Sequence, residues 1–161
     1  MTGKKIAACL WFDTEAEDAA KFYCGVFKNS RITQTSYYGD VGPRPKGSVL
    51  TVAFELDGQP FTALNGGPQF KFSEAISFQI YCDTQAEVDH YWNGLIAGGG
   101  AESMCGWLKD RFGLSWQVVP NRLIELIASP DAAKAERVTA AMFKMKKIDI
   151  AALEAAATAS S

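Results

Sequence analysis

The most reactive groups in this chain are four cysteines, one histidine and an aspartate set in a turn-forming run. Cys9, Cys24, Cys82 and Cys105 show no C-x-x-C spacing, so neither a zinc knuckle nor a dithiol redox motif is expected. His90 is the sole histidine, which removes any multi-histidine metal site. It falls mid-helix beside Glu87 and Asp89 and reads as a solvated face residue. A nucleophilic Cys9 needs a base at its side. None is near it in sequence, so a buried, inert thiol is the simpler reading, with catalysis as the alternative. Asp110, in Lys109-Asp-Arg-Phe-Gly113, is a second candidate for proton transfer, but aspartate before glycine first suggests a turn.

These residues sit in a chain of 161 residues with 16 basic and 18 acidic side chains, a formal net charge of −2. That balance argues against a nucleic-acid binder, which normally presents a basic face. The short Lys144–Lys147 patch suits a helix C-terminus instead. No apolar run approaches the roughly 18 residues that span a bilayer. The apolar stretch Ile6-Ala-Ala-Cys9 is too short for a signal core, so Cys9 is expected to stay in the chain. Unpaired cysteines without a signal favour a cytoplasmic setting.

The chain repeats itself at an offset of 70: Ile6/Ile76, Asp13/Asp83, Thr14/Thr84 and Glu17/Glu87 all match. Each copy reads as a strand leading into a helix. Thr14-x-x-Glu17 and Thr84-x-x-Glu87 are capping boxes, in which the hydroxyl and the carboxylate each satisfy a first-turn amide. Gly98-Gly99-Gly100 closes the second helix. Further strands are expected at Arg31–Tyr38, Ser48–Leu56 and Phe61–Asn65, and again at Ala101–Leu108 and Leu114–Val119. The Pro-containing stretch Gly39–Gly47 reads as a loop, and Asn65–Ser73 as the linker between copies. The fold class is therefore α+β, two βαβββ modules at 1–68 and 69–128, with a helical tail at 129–161, all in one compact unit. In the tail, Ser129 caps and Pro130 opens a helix over Ala132–Lys146. A short helix follows over Asp149–Ala157, with Ala155–Ser161 frayed.

Two such copies resemble the glyoxalase/bleomycin-resistance/extradiol-dioxygenase (vicinal oxygen chelate) superfamily. The resemblance is to its PhnB-like branch, the "3-demethylubiquinone-9 3-methyltransferase" domain. It is carried by Cys9-Leu-Trp-Phe-Asp13, Phe22-Tyr23, Ala63-Leu-Asn-Gly-Gly-Pro68, Ile76-Ser-Phe-Gln79, Gly106–Gln117 and Lys147-Ile-Asp-Ile150. It implies sheets curled into cups and, commonly, a homodimer. It also implies a divalent ion held by His and Glu from the first and last strands of the copies. The corresponding positions here are Ala7 or Ala8, Ser77 or Phe78, Thr62 and Gln117. The windows 6–9, 61–64, 76–79 and 116–119 contain neither carboxylate nor imidazole. Cys9 is the one strong donor among them, a poor basis for a divalent site. No metal and no cofactor are expected.

Strand alternation turns Ile6/Ala8/Leu10/Phe12 and Ile76/Phe78/Ile80/Cys82 toward the helices. It leaves Ala7/Cys9/Trp11 and Ser77/Gln79/Tyr81 on the opposite faces. Cys9, Trp11, Thr62, Asn65, Ser77, Gln79, Trp107, Trp116 and Gln117 are then the expected ligand-binding residues. The amides and hydroxyls orient a small, partly aromatic or apolar molecule and the tryptophans cover it. A buried Gln or Trp is also an ordinary core residue. Two rivals stay open. One is an enzyme (a lyase, an isomerase or a methyltransferase-like activity) using Cys9 or Asp110. The other is an interaction protein with a filled core. Methyl transfer by a doubly wound domain needs a glycine-rich turn opening a helix, whereas Gly98–Gly100 ends one.

Overall fold

A computed structural model describes residues 3–160. The chain divides into two compact units, one reaching to Phe72 and the other beginning at Ser73. In the first, β1 (Ala8–Phe12), α1 (Ala16–Val26), β2 (Arg31–Tyr37), β3 (Val49–Leu56) and β4 (Gln59–Asn65) follow in chain order. They form a four-stranded sheet in the order β1-β4-β3-β2. The last strand returns beside the first, so β1 and β4 are parallel while the other pairs are antiparallel. The β3–β4 hairpin turns on Asp57 (φ 47°) and Gly58 (φ 74°). Two consecutive left-handed residues are what a two-residue type I′ turn requires. One face of the sheet packs on α1. Tyr23 stacks on Phe54 (6.2 Å between centroids), and Phe54 stacks on Phe61 (5.4 Å).

The second unit repeats the plan with β5 (Ser77–Cys82), α2 (Gln85–Ile96), β6 (Ala101–Glu102), β7 (Trp107–Lys109) and β8 (Ser115–Pro120). The sheet order is β5-β8-β7-β6, with β5 and β8 parallel. The strand expected over Ala101–Leu108 is two short strands, broken at residues 103–106 where Cys105 and Gly106 both take positive φ. A Cβ on Gly106 would lie 2.8 Å from the Val118 carbonyl oxygen, so only glycine lets the chain pass there. Val88, Trp92 and Leu95 of α2 are buried, as are Leu108, Trp116 and Val118 of the sheet. The apolar rows begin later than expected: Ile6 and Ile76 precede their strands and are exposed.

Three helices complete this unit: α3 (Asn121–Ile127), α4 (Ala132–Met142) and α5 (Ile150–Thr158). α3 is a helix that the pattern reading missed. α4 is capped by Asp131, whose carboxylate accepts from the Lys134 amide at 3.2 Å, rather than by Ser129. It stops at Met142 and not at Lys146. The expected fraying from Ala155 is not seen up to Thr158, because Leu153 and Ala157 are buried; Ser161 lies outside the described residues. The three helices and the link between α4 and α5 own a core of Leu123, Leu126, Val138, Ile148, Leu153 and Ala157. The Gln85 side chain ties this extension to α2, donating to the Ile148 carbonyl (3.0 Å) and accepting from the Ile150 amide (2.9 Å).

The two copies cap their helices differently. Thr84 accepts from the Glu87 amide at 3.2 Å, and Glu87 accepts in return from the Asp83 amide at 3.3 Å. In the first copy Glu17 pairs instead with Lys21 at 2.9 Å, and the Thr14 box does not form. Its place is taken by Asn65, whose Oδ1 accepts from the Ala16 amide at 2.8 Å. Asn65 can do this because it ends β4 opposite Phe12; the position opposite Cys82 is Pro120. Asn65→Ala is therefore expected to cost about 1–2 kcal/mol and Thr84→Ala about 1 kcal/mol. Thr14→Ala should stay within about 0.5 kcal/mol of wild type. Urea denaturation of the three variants checks the order.

Candidate functional site

The face of each sheet turned away from its helix carries Cys9, Trp11, Thr62, Ser77, Gln79, Trp107 and Gln117, whereas Asn65, Asp110 and Trp116 are buried. In the first sheet Cys9 sits opposite Thr62, and Trp11 opposite Leu64. Cys9 is exposed, not the buried thiol that the lack of a nearby base suggested. Desolvation by its surroundings nevertheless pushes its thiol above the ordinary value, which lowers the thiolate fraction at neutral pH. Trp11 is committed within the module. Its indole N–H donates to the Gly67 carbonyl at 2.8 Å, and its ring meets Phe70 edge-on at 4.9 Å. A Cβ on Gly66 would fall 2.3 Å from that ring, so the Gly66-Gly67 turn rests on the tryptophan. Asn65 is buried. Besides capping α1 it donates to the Val49 carbonyl at 3.1 Å, and its own carbonyl accepts from the Tyr38 hydroxyl at 2.6 Å. These are bonds of a structural residue.

In the second sheet four of the expected residues do meet. Gln79 lies opposite Gln117, which lies opposite Trp107. The Tyr81 hydroxyl donates to Gln79 Oε1 at 2.8 Å, and Gln79 Nε2 makes a long contact of 3.5 Å to Gln117 Oε1. Gln117 Nε2 then donates to Ser77 Oγ at 2.8 Å. Ser115, on the same face, is buried, and its hydroxyl has no hydrogen-bond partner.

Trp116 is not part of this row. One residue from Gln117, it points to the other face, where it is buried with its ring 5.5 Å from Phe78. Its indole N–H donates to Asp110 Oδ2 at 2.9 Å. Asp110 Oδ1 accepts from the amides of Phe112 (2.8 Å) and Leu114 (3.1 Å). The buried carboxylate thus shapes the β7–β8 turn and anchors the core tryptophan. The turn role is the one these bonds serve; the alternative of proton transfer gets no support from that position on the helix side.

The amide row opens onto a groove of about 720 Å³. Gln79, Gln117 and Trp107 line one side; Leu123, Ile124 and Ile127 of α3 line the other, with Met142 and Phe143 at the end of α4. Sequence reasoning missed this second side. Its signal was present in Asn121–Ile127, where Leu123 and Leu126 fall on one helical stripe and Ile124 and Ile127 on the next. The short run directly after a strand masked it.

A sequence profile of the 3-demethylubiquinone-9 3-methyltransferase family matches residues 4–119. The chain belongs to this family. It is the PhnB-like branch of the vicinal oxygen chelate superfamily, as the motifs suggested. The PhnB protein of Bacillus cereus is 33% identical over 73% of this chain and 99% of its own, with a TM-score of 0.66. Protein PA1353 of Pseudomonas aeruginosa (21% identity, 73% and 98% coverage, TM-score 0.60) shares the fold. So does the fosfomycin resistance protein FosX of Mesorhizobium loti (15% identity, 80% and 100% coverage, TM-score 0.56). No curated protein matches. Helices α3–α5 lie beyond the matched residues of the family profile.

The superfamily fold implies a divalent ion on these sheet faces, and the groups present do not fit one. The first face offers a thiol and the Thr62 hydroxyl; the second offers the Ser77 hydroxyl and two amides. Such a set lacks the imidazoles and carboxylates that hold divalent ions. Among the described residues, no three His, Cys, Asp or Glu side chains lie close enough to share a metal ion. Among those residues, too, no helix is long and apolar enough to cross a membrane.

Two outcomes follow. Ser115→Ala should stabilise the protein by about 1 kcal/mol, since it removes a buried unpaired hydroxyl; thermal unfolding measures it. Burial, then Glu87 and Asp83, push the Cys82 thiol up to about 12. Peptide-resolved alkylation of native protein should thus leave Cys82 unmodified at pH 8. Cys9 should react slowly and faster as pH rises, because its raised value leaves little thiolate there.

Proposed function

We propose that this PhnB-like protein binds a small, partly aromatic or apolar molecule on the open face of its second module, without a metal ion. The observation that carries the reading is the Tyr81–Gln79–Gln117–Ser77 row at the edge of the 720 Å³ groove. A ligand pocket of a few hundred Å³ with apolar walls and a few convergent polar groups is the usual form of such a site. Each glutamine amide has two donors and two lone pairs, and the row uses one donor of each. The second donor suits a carbonyl or hydroxyl of the guest. Recognition of this kind needs no acid–base pair, in keeping with Asp110 being spent on a turn and the Cys9 thiol lying on the other module. The family's usual pairing of modules makes a homodimer the expected assembly, and the free thiols favour the reducing cytoplasm.

Elemental analysis of purified protein should find no stoichiometric zinc, nickel or iron. In a thermal-shift screen of neutral aromatic ketones and phenols, a true ligand at a hundredfold its dissociation constant should add about 2.7 kcal/mol. Gln117→Leu should remove most of that gain. A tightly held transition ion in the purified protein would defeat the reading.

A further inference from the structure

The groove beside the amide row is not built from the family's shared residues alone. Its far wall comes from Leu123, Ile124 and Ile127 of α3 and from Met142 and Phe143, all beyond the span that the family profile matches. Ile124 is 47% exposed and Phe143 63%. Large apolar groups clustered on one concave surface mark a place where something binds. Among the described residues that line the groove none carries a charge. An anion or cation entering it would lose its hydration without gaining a counter-charge, which is costly.

The wall is also held in place. The Arg122 guanidinium on α3 grips both carboxylate oxygens of Glu154 on α5 and bonds Glu125 at 3.0 Å. The turn at 103–106 is fastened to the chain after α4: the Cys105 amide donates to the Met145 carbonyl and the Gly106 amide to that of Lys146, both at 2.8 Å. A wall fixed before binding spares the guest the cost of ordering it.

We propose that α3 and the end of α4 form the second wall of the ligand site, and that they select a neutral amphipathic molecule. Its carbonyl or hydroxyl end meets Gln79 and Gln117, and its apolar body lies along Ile124, Ile127 and Phe143. This deepens the reading above and rests on it. Ligand selection is then shared between the amide row of the second module and this chain's own extension, which supplies the apolar wall.

The test uses the full chain and prodan, an uncharged naphthalene ketone whose emission shifts to the blue in apolar surroundings. Wild type should bind one prodan per chain, with a blue shift, and bind the anionic dye 1-anilinonaphthalene-8-sulfonate more weakly. Ile124→Asp and Phe143→Ala should each weaken prodan by about tenfold or more, with circular dichroism unchanged. Both sites are exposed enough to tolerate substitution. Bound prodan should also slow alkylation of Cys105, which lines the groove. If Gln117→Leu weakens prodan but neither wall variant does, this inference falls and the sheet-face site stands. If wild type binds no prodan, or binds the sulfonate better, the neutral amphipathic class is wrong. If none of the three variants changes prodan binding, both readings fall. If Ile124→Asp halves the oligomeric mass in light scattering, the groove is an interface between copies and the inference is overturned.

Discussion

In each module the first strand lies parallel to the last, at the price of a long crossover through a helix and two strands. This pairing decides which side chains become neighbours. It sets Cys9 beside Thr62 and Gln79 beside Gln117, residues separated by dozens of positions in the chain. It also fixes the faces, since an edge strand held in register against its one neighbour cannot slip by one residue without turning its apolar row to water. The helix-facing rows Leu10/Phe12 and Ile80/Cys82 are buried accordingly. The opposite faces are thereby left to whatever polar groups alternate with them.

The two copies use this frame for different ends. In the first, the strand pairing brings Asn65 to the start of α1 and presses Trp11 under the Gly66-Gly67 turn. Its open-face groups are largely spent on internal structure. In the second, Pro120 stands where Asn65 would be, α2 caps itself through Thr84, and the chain runs directly into α3. The helical extension that follows has its own core and is fastened through Gln85 and through the amides of Cys105 and Gly106. One face of the second sheet thereby becomes one side of a groove.

The chemistry of that face follows from its donor set. Amides and hydroxyls hydrogen-bond strongly to neutral partners, but they cannot offset the desolvation of a divalent ion as imidazole and carboxylate do. Two of the reactive groups are placed apart from it, while the Cys105 thiol lines the groove. Asp110 is buried under the β7–β8 turn with Trp116, and Cys82 is held protonated by burial. What remains at the groove is a lining of apolar side chains and neutral hydrogen-bonding groups.

Much of the fold was legible in the residue pattern. The offset-70 repeat, the Asp57-Gly58 turn and the Thr84 box are all encoded within a few residues of where they act, so propensity and periodicity suffice to read them. The alternation of Ser77, Gln79 and Tyr81 likewise placed three members of the amide row on one face. Tertiary structure alone decided the rest, because the deciding partner was distant in the chain. Asn65 displaced Thr14 as a cap across 49 positions. Trp116 was drawn into the core by Asp110 and α2 rather than left to cover a ligand. Cys9 came out exposed on the face of β1 turned away from α1. The far wall of the groove arose from helices whose apolar stripes reveal a buried side but not what faces the other. Local sequence determines which face of an element is apolar; only packing determines what stands opposite it.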